Sequence, residues 1–207
     1  MAEEITPIGA AVLGLLMERN MHPYEMYQTL IERREDRLMK IRPGSLYHAV
    51  DRLLGQGLIE QQGVEREGNR PERTNYSIKP GGYQALRQHL SGLLREVVVE
   101  YPAFRQGVAE AHNLPKDEVI ELLGERKAKL KAEIEELTET CAKFTAQELN
   151  RALWLDFGYQ LNILQAQMSW ISRTLIELEN GELPWTHYSR LMAKHPQLTI
   201  DKITKEL

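Results

Sequence analysis

The hydrophobic period of the chain changes between Pro43 and Ile78, and this switch limits what the chain can fold into more than any other feature. Leu46, Val50, Leu53 and Leu54 fall at i, i+4, i+7 and i+8, the spacing of one helix face. Gly55 and Gly57 close that helix. Leu58-Ile59-Glu60-Gln61-Gln62 is then short and extended in character, and Asn75-Tyr76-Ser77-Ile78 alternates with period two. The stretch between them, Glu65 to Arg73, contains no apolar residue but Pro71. A helix followed at once by two short strands around a charged tip predicts a β-hairpin behind the helix.

Two more helices precede this run. Thr6 can cap a helix with Pro7 at its first position, and Ile8, Val12, Leu15 and Leu16 follow at helical spacing. Arg19-Asn20-Met21-His22 reads as a turn. Pro23 opens the second helix, with Tyr24, Met26, Tyr27, Leu30 and Ile31 as its apolar positions, and a polar, basic stretch runs from Glu32 to Lys40. Three helices and a hairpin are the order of a winged helix-turn-helix, whose third helix enters the major groove and whose hairpin is the wing. After the Pro80-Gly81-Gly82 break a further helix carries Tyr83, Leu86, Leu90, Leu93 and Leu94.

The second half has a different pattern. Leu123, Lys127, Leu130, Ile134, Leu137, Cys141 and Phe144 alternate in steps of four and three, as do Trp154, Phe157, Leu161, Leu164, Met168, Ile171, Leu175 and Leu178. Both are heptad seams, and the short connection at 145–150 predicts an antiparallel pair. Two such seams ask for more apolar partners than one helix pair supplies. The expectation is therefore a four-helix arrangement from two chains, with Leu123, Leu130, Ile134, Leu137, Phe157, Leu161, Leu164, Met168, Ile171 and Leu175 at the dimer contact. The expected fold is thus mainly α with a small β-hairpin. It has a winged helix-turn-helix at 1–85, a connecting helix and linker at 86–114, an antiparallel helical dimerisation domain at 115–180 and a tail at 181–207.

Charge and chemistry narrow the function. The net charge is −4, so the total gives no argument for nucleic acid. Residues up to Leu90 are balanced, and arginines cluster there: Arg33, Arg34, Arg37, Arg42 and Arg52 with Lys40, then Arg66, Arg70 and Arg73. Such local charge can attract phosphates when the net charge does not. The one cysteine, Cys141, allows no internal disulfide and no cysteine-based zinc site. No metal-spaced histidine pair, phosphate loop, Gly-x-Ser-x-Gly or dinucleotide fingerprint occurs, which argues against an enzyme and against a cofactor. The acidic start and the lack of a run of about 20 apolar residues predict a cytoplasmic protein.

Four stretches together resemble the PadR family of bacterial regulators: Ile8 to Leu16, His22-Pro23-Tyr24-Glu25-Met26, Pro43-Gly44-Ser45-Leu46-Tyr47-His48 to Leu53, and Gly68 to Ile78. The second half is similar to the two-helix domain of the longer members. Two residues depart from the pattern. His22-Pro23 stands where the family has Gly before Tyr, and His48 replaces the proline after Tyr47.

The resemblance implies a homodimeric, DNA-binding regulator, expected to be a repressor on an inverted-repeat operator. The expected DNA contacts are Arg42, Ser45, Tyr47, His48 and Arg52 on the recognition helix, with Ala49 also toward the groove, and Arg70 and Arg73 in the wing. It also implies a small aromatic or phenolic effector, for which His22, Tyr24, Trp154, Tyr159 and Trp170 are candidates. The rival reading is a helical protein-interaction adaptor without DNA binding, against which the wing arginines speak.

Overall fold

The computed structural model describes residues 5–65 and 73–185, and for Val64, Glu65 and Arg73 the backbone only. The chain divides into two compact units, Met1–Val99 and Glu100–Leu207.

The first unit runs α1 (Pro7–Glu18), α2 (Pro23–Glu32), a 3-10 turn (Glu35–Arg37), α3 (Pro43–Gly55), β1 (Ile59–Glu65), β2 (Arg73–Ile78) and α4 (Pro80–Arg95). All four helices begin at a proline, where the missing N–H would have had no partner within the helix. Thr6 caps α1 by accepting the Gly9 N–H at 3.2 Å, and His22 Nδ1 caps α2 by accepting from Tyr24 at 3.1 Å. The core brings together Val12, Leu13 and Leu16 of α1, Met26 and Leu30 of α2, and Leu46, Val50 and Leu53 of α3.

The hairpin is antiparallel, with Ile59 opposite Ile78 and Gln61 opposite Tyr76, and its register shifts between Gln61 and Val64. The segment expected to be only a turn does more than that. Met21 pairs with Tyr76 through two backbone hydrogen bonds, of 3.2 and 3.0 Å, and its side chain is 1% exposed. A single paired residue has no period, so sequence pattern could not reveal it.

The second unit contains α5 (Ala103–Glu110), a 3-10 turn (Ala111–Asn113), α6 (Lys116–Ala146), a 3-10 turn (Arg151–Trp154) and α7 (Leu155–Glu179). α6 and α7 are antiparallel. Lys116 near the start of α6 donates to the Leu178 carbonyl at the end of α7, and Phe144 near the end of α6 meets Phe157 near the start of α7. The heptad seams close on each other within one chain. Leu123, Leu130 and Leu137 are buried with Leu164, Ile171 and Leu175, and Ile134, Phe157, Leu161 and Met168 pack around them. The residues expected at a dimer contact are therefore already packed in part within one chain, while Ile134, Phe157, Leu161 and Met168 keep some exposure. What remains exposed is the other side of α7, where Leu155 (59%), Tyr159 (70%) and Ile163 (39%) recur at every fourth residue.

Among the described residues no helix is long and apolar enough to cross a membrane.

Candidate nucleic-acid interface

α3 is held by its buried face. Leu46, Ala49, Val50 and Leu53 are each at most 2% exposed. At 3.6 residues per turn the opposite face carries Gly44, His48 and Asp51, all exposed, with Tyr47 (42% exposed) on one flank and Arg52 on the other. Ala49 was expected toward the groove. It lies on the same side as Leu46 and Leu53 and belongs to the core. Asp51, which the sequence reading passed over, stands on the outward face instead. The spacing of four from Gly44 to His48 and three from His48 to Asp51 was the available signal.

The start of α3 is fixed by Ser45, whose hydroxyl donates to the Arg42 carbonyl at 2.8 Å and accepts the Arg42 N–H at 3.1 Å. Its single proton is thereby committed to the cap. Arg42 itself is exposed at the head of the helix, where free N–H groups and the positive end of the dipole favour an anion. Arg52 is also exposed, and one guanidinium nitrogen donates to Thr6 Oγ1 at 2.8 Å, linking α3 to the α1 cap. In the wing Arg73 opens β2, while Arg70 lies outside the described residues.

The first arginine cluster is partly neutralised from within. Both terminal nitrogens of Arg33 donate to the two Glu18 oxygens, one of them at 2.7 Å, and Arg19 pairs with Glu25. The Arg33 hydrogen bond holds the Glu18 carboxyl below its ordinary range, and the same contact raises Arg33.

The residues expected to line an effector site are divided between the two units, and within each unit they have the following contacts. His22 caps α2, and Tyr24 is exposed, with its hydroxyl accepting from Gln28 at 2.9 Å. In the second unit Trp154 packs on Phe144 and donates to the Leu149 carbonyl, Tyr159 faces outward, and Trp170 meets Phe104 edge-on. At 1.5 Å per residue, Trp154 and Trp170 are separated along the helix by about 24 Å. Among the described residues no three His, Cys, Asp or Glu side chains converge as metal ligands.

Comparison with known proteins agrees with this geometry. The family model described as "Transcriptional regulator PadR-like family" matches residues 12–88. No curated protein matches the sequence. Among solved structures, Bacillus subtilis PadR in complex with operator DNA superposes with a TM-score of 0.70 at 18% identity, over 84% of this chain and 99% of that one. The same protein with p-coumaric acid gives 0.68 at 17% identity, over 83% and 98%. A PadR-like regulator from Bacillus cereus gives 0.60 at 18% identity, over 84% and 99%. At these identities the likeness establishes the fold. The match to the PadR-like family of transcriptional regulators thus spans α3, the hairpin and most of α1 and α4, and the whole-chain superpositions extend the likeness of fold to the second unit.

Proposed function

We propose that the protein is a sequence-specific DNA-binding regulator acting as a homodimeric repressor on an inverted-repeat operator. The observation that carries this reading is α3. It is amphipathic, presents His48 and Asp51 outward, has Arg42 at its positive end, and is followed directly by the hairpin. Arg42, Tyr47 and Arg52 flank the outward face and hold phosphates. His48 donates to a purine acceptor. Asp51 is repelled by phosphate and accepts only from a base amino group, which favours cytosine. Ser45 orders the helix start. Arg70 and Arg73 extend the contact through the wing. The exposed stripe of α7 is the surface for the second copy, and two-fold symmetry makes the operator palindromic. A small aromatic effector completes the proposal, supported by the relative whose structure contains p-coumaric acid.

The test is fluorescence anisotropy with DNA from upstream of the protein's own gene, at two salt concentrations. Tyr47→Phe and Arg42→Met should weaken binding to all sequences alike, and Arg42→Met should reduce the salt slope by about 1. His48→Ala should cost about 1–3 kcal/mol at one operator position only. Affinity for every sequence equal to wild type in all three variants would reject the interface.

A further inference from the structure

The second unit carries a half-open cavity of about 640 Å³ between α5, α6, α7 and the segment that follows α7. That is the size of a small-molecule site. Three aromatic side chains, Phe104, Trp170 and Trp185, line it. Phe104 and Trp170 meet edge to face with centroids 6.0 Å apart. Trp185 is fixed by donating its indole N–H to the Leu114 carbonyl at 3.0 Å. The chain reaches that position by turning at Gly181, whose φ is +80°, with the Leu183 N–H donating to the Glu177 carbonyl at 2.8 Å.

Arg126 stands in this wall. Its guanidinium lies 3.8 Å from the Phe104 ring centre, and one terminal nitrogen donates to the Gln167 side chain at 3.1 Å. Its Nε is buried with no hydrogen-bond partner. No carboxylate pairs with Arg126 among the described residues, although two glutamates line the same cavity. Glu125 lies 3.7 Å from Lys129, and Glu133 is exposed. A half-buried guanidinium on an aromatic face, without a counter-ion, is poised for a planar anion, which its fork can hold through two parallel bonds.

We propose that this cavity is a binding site for a small aromatic carboxylate, with the ring among Phe104, Trp170 and Trp185 and the carboxylate on Arg126. As a regulatory site it rests on the effector reading above, but as a binding site it stands on this geometry alone.

The test uses the full chain and two probes of equal shape, 2-naphthoate and neutral 2-naphthamide, titrated by calorimetry and by tryptophan fluorescence. Naphthoate should bind at least tenfold more tightly than naphthamide. Arg126→Met should erase that difference while naphthamide still binds. Gly107→Phe should abolish binding of both probes: a side chain added there meets nothing within 4 Å, so the helix accepts it and the ring occupies the cavity. Equal affinity for the two probes, a preference that survives Arg126→Met, or no binding of either probe overturns the proposal. So does a Gly107→Phe variant that changes only the oligomeric state, because a second copy would then be the occupant. Naphthoate binding through Arg126 with no change in operator affinity supports the site and rejects the effector reading alone.

Discussion

At the scale of single residues, the first unit depends on close approaches that side-chain chemistry alone does not reveal. Gly82 is the sharpest case. A Cβ there would stand 2.3 Å from the Leu58 carbonyl oxygen and 2.9 Å from Ile78 Cγ1, so the start of α4 touches the root of the hairpin. A backbone oxygen cannot swing aside as a side chain can, so Gly82→Ala should destabilise the unit by about 1–3 kcal/mol, read from a denaturant midpoint. Gly81→Ala is the control. Its nearest added contact is an ordinary 3.9 Å, and it should be nearly silent. The Glu18–Arg33 pair makes a second prediction. Glu18 has a lowered folded pKa, so its contribution is present above the ordinary value of 4.5 and is lost as pH falls through the lower folded value. The two side chains are 48% and 46% exposed, so solvent screening keeps the effect small. Glu18→Gln should cost less than about 1 kcal/mol at pH 7, and should make the fall in stability below pH 4.5 shallower.

At the scale of elements, α3 shows what periodicity can and cannot deliver. The pattern Leu46, Val50, Leu53 located the helix and its buried side, and Pro43 and Gly55 bounded it. The capping residue Thr6 and the four helix-opening prolines were equally legible, because their chemistry is local. Ala49 was misplaced because alanine carries little hydrophobic signal, so its side of the helix had to come from geometry. The uses of Ser45 and Arg52 were not legible either. Ser45 bonds to its own helix start, and Arg52 bonds to Thr6, which is 46 residues away in sequence. The Arg52 bond occupies one nitrogen and leaves the rest of the fork for a phosphate. Arg52→Met should therefore weaken binding to every DNA sequence and lower the salt slope by about 1. Thr6→Val removes this internal acceptor together with the α1 cap, so it should cost about 1 kcal/mol of stability and leave that slope unchanged. If Thr6→Val matched Arg52→Met in a salt titration, Arg52 would act through α1 and not on DNA.

At the scale of the whole molecule, the proposed homodimer needs a surface for its second copy, and α7 supplies the argument. Its seam residues Leu164, Ile171 and Leu175 are buried against α6, so they are already used within one chain. Leu155, Tyr159 and Ile163 sit on average about 140° away round the helix at 3.6 residues per turn, and all three are exposed. A helix that is apolar on two opposed sides calls for a second packing partner. Leu149 (42% exposed) and Leu153 (79%), in the connection between α6 and α7, are exposed as well. A second copy meeting this surface about a two-fold axis would bury it twice over. The double substitution Tyr159→Asp with Ile163→Asp should give a chain that sediments as a monomer while its far-ultraviolet dichroism matches wild type. Its affinity for a palindromic operator should fall about a hundredfold or more, because the second half-site contact is no longer intramolecular, while affinity for a single half-site stays the same. Leu164→Ala separates the two faces of the helix. It should cost about 2–5 kcal/mol of stability by opening a cavity in the α6–α7 core, with the folded population still dimeric. A double variant that remained a dimer would move the interface off this face of α7, and a wild-type chain that sedimented as a monomer would remove the palindromic operator with it.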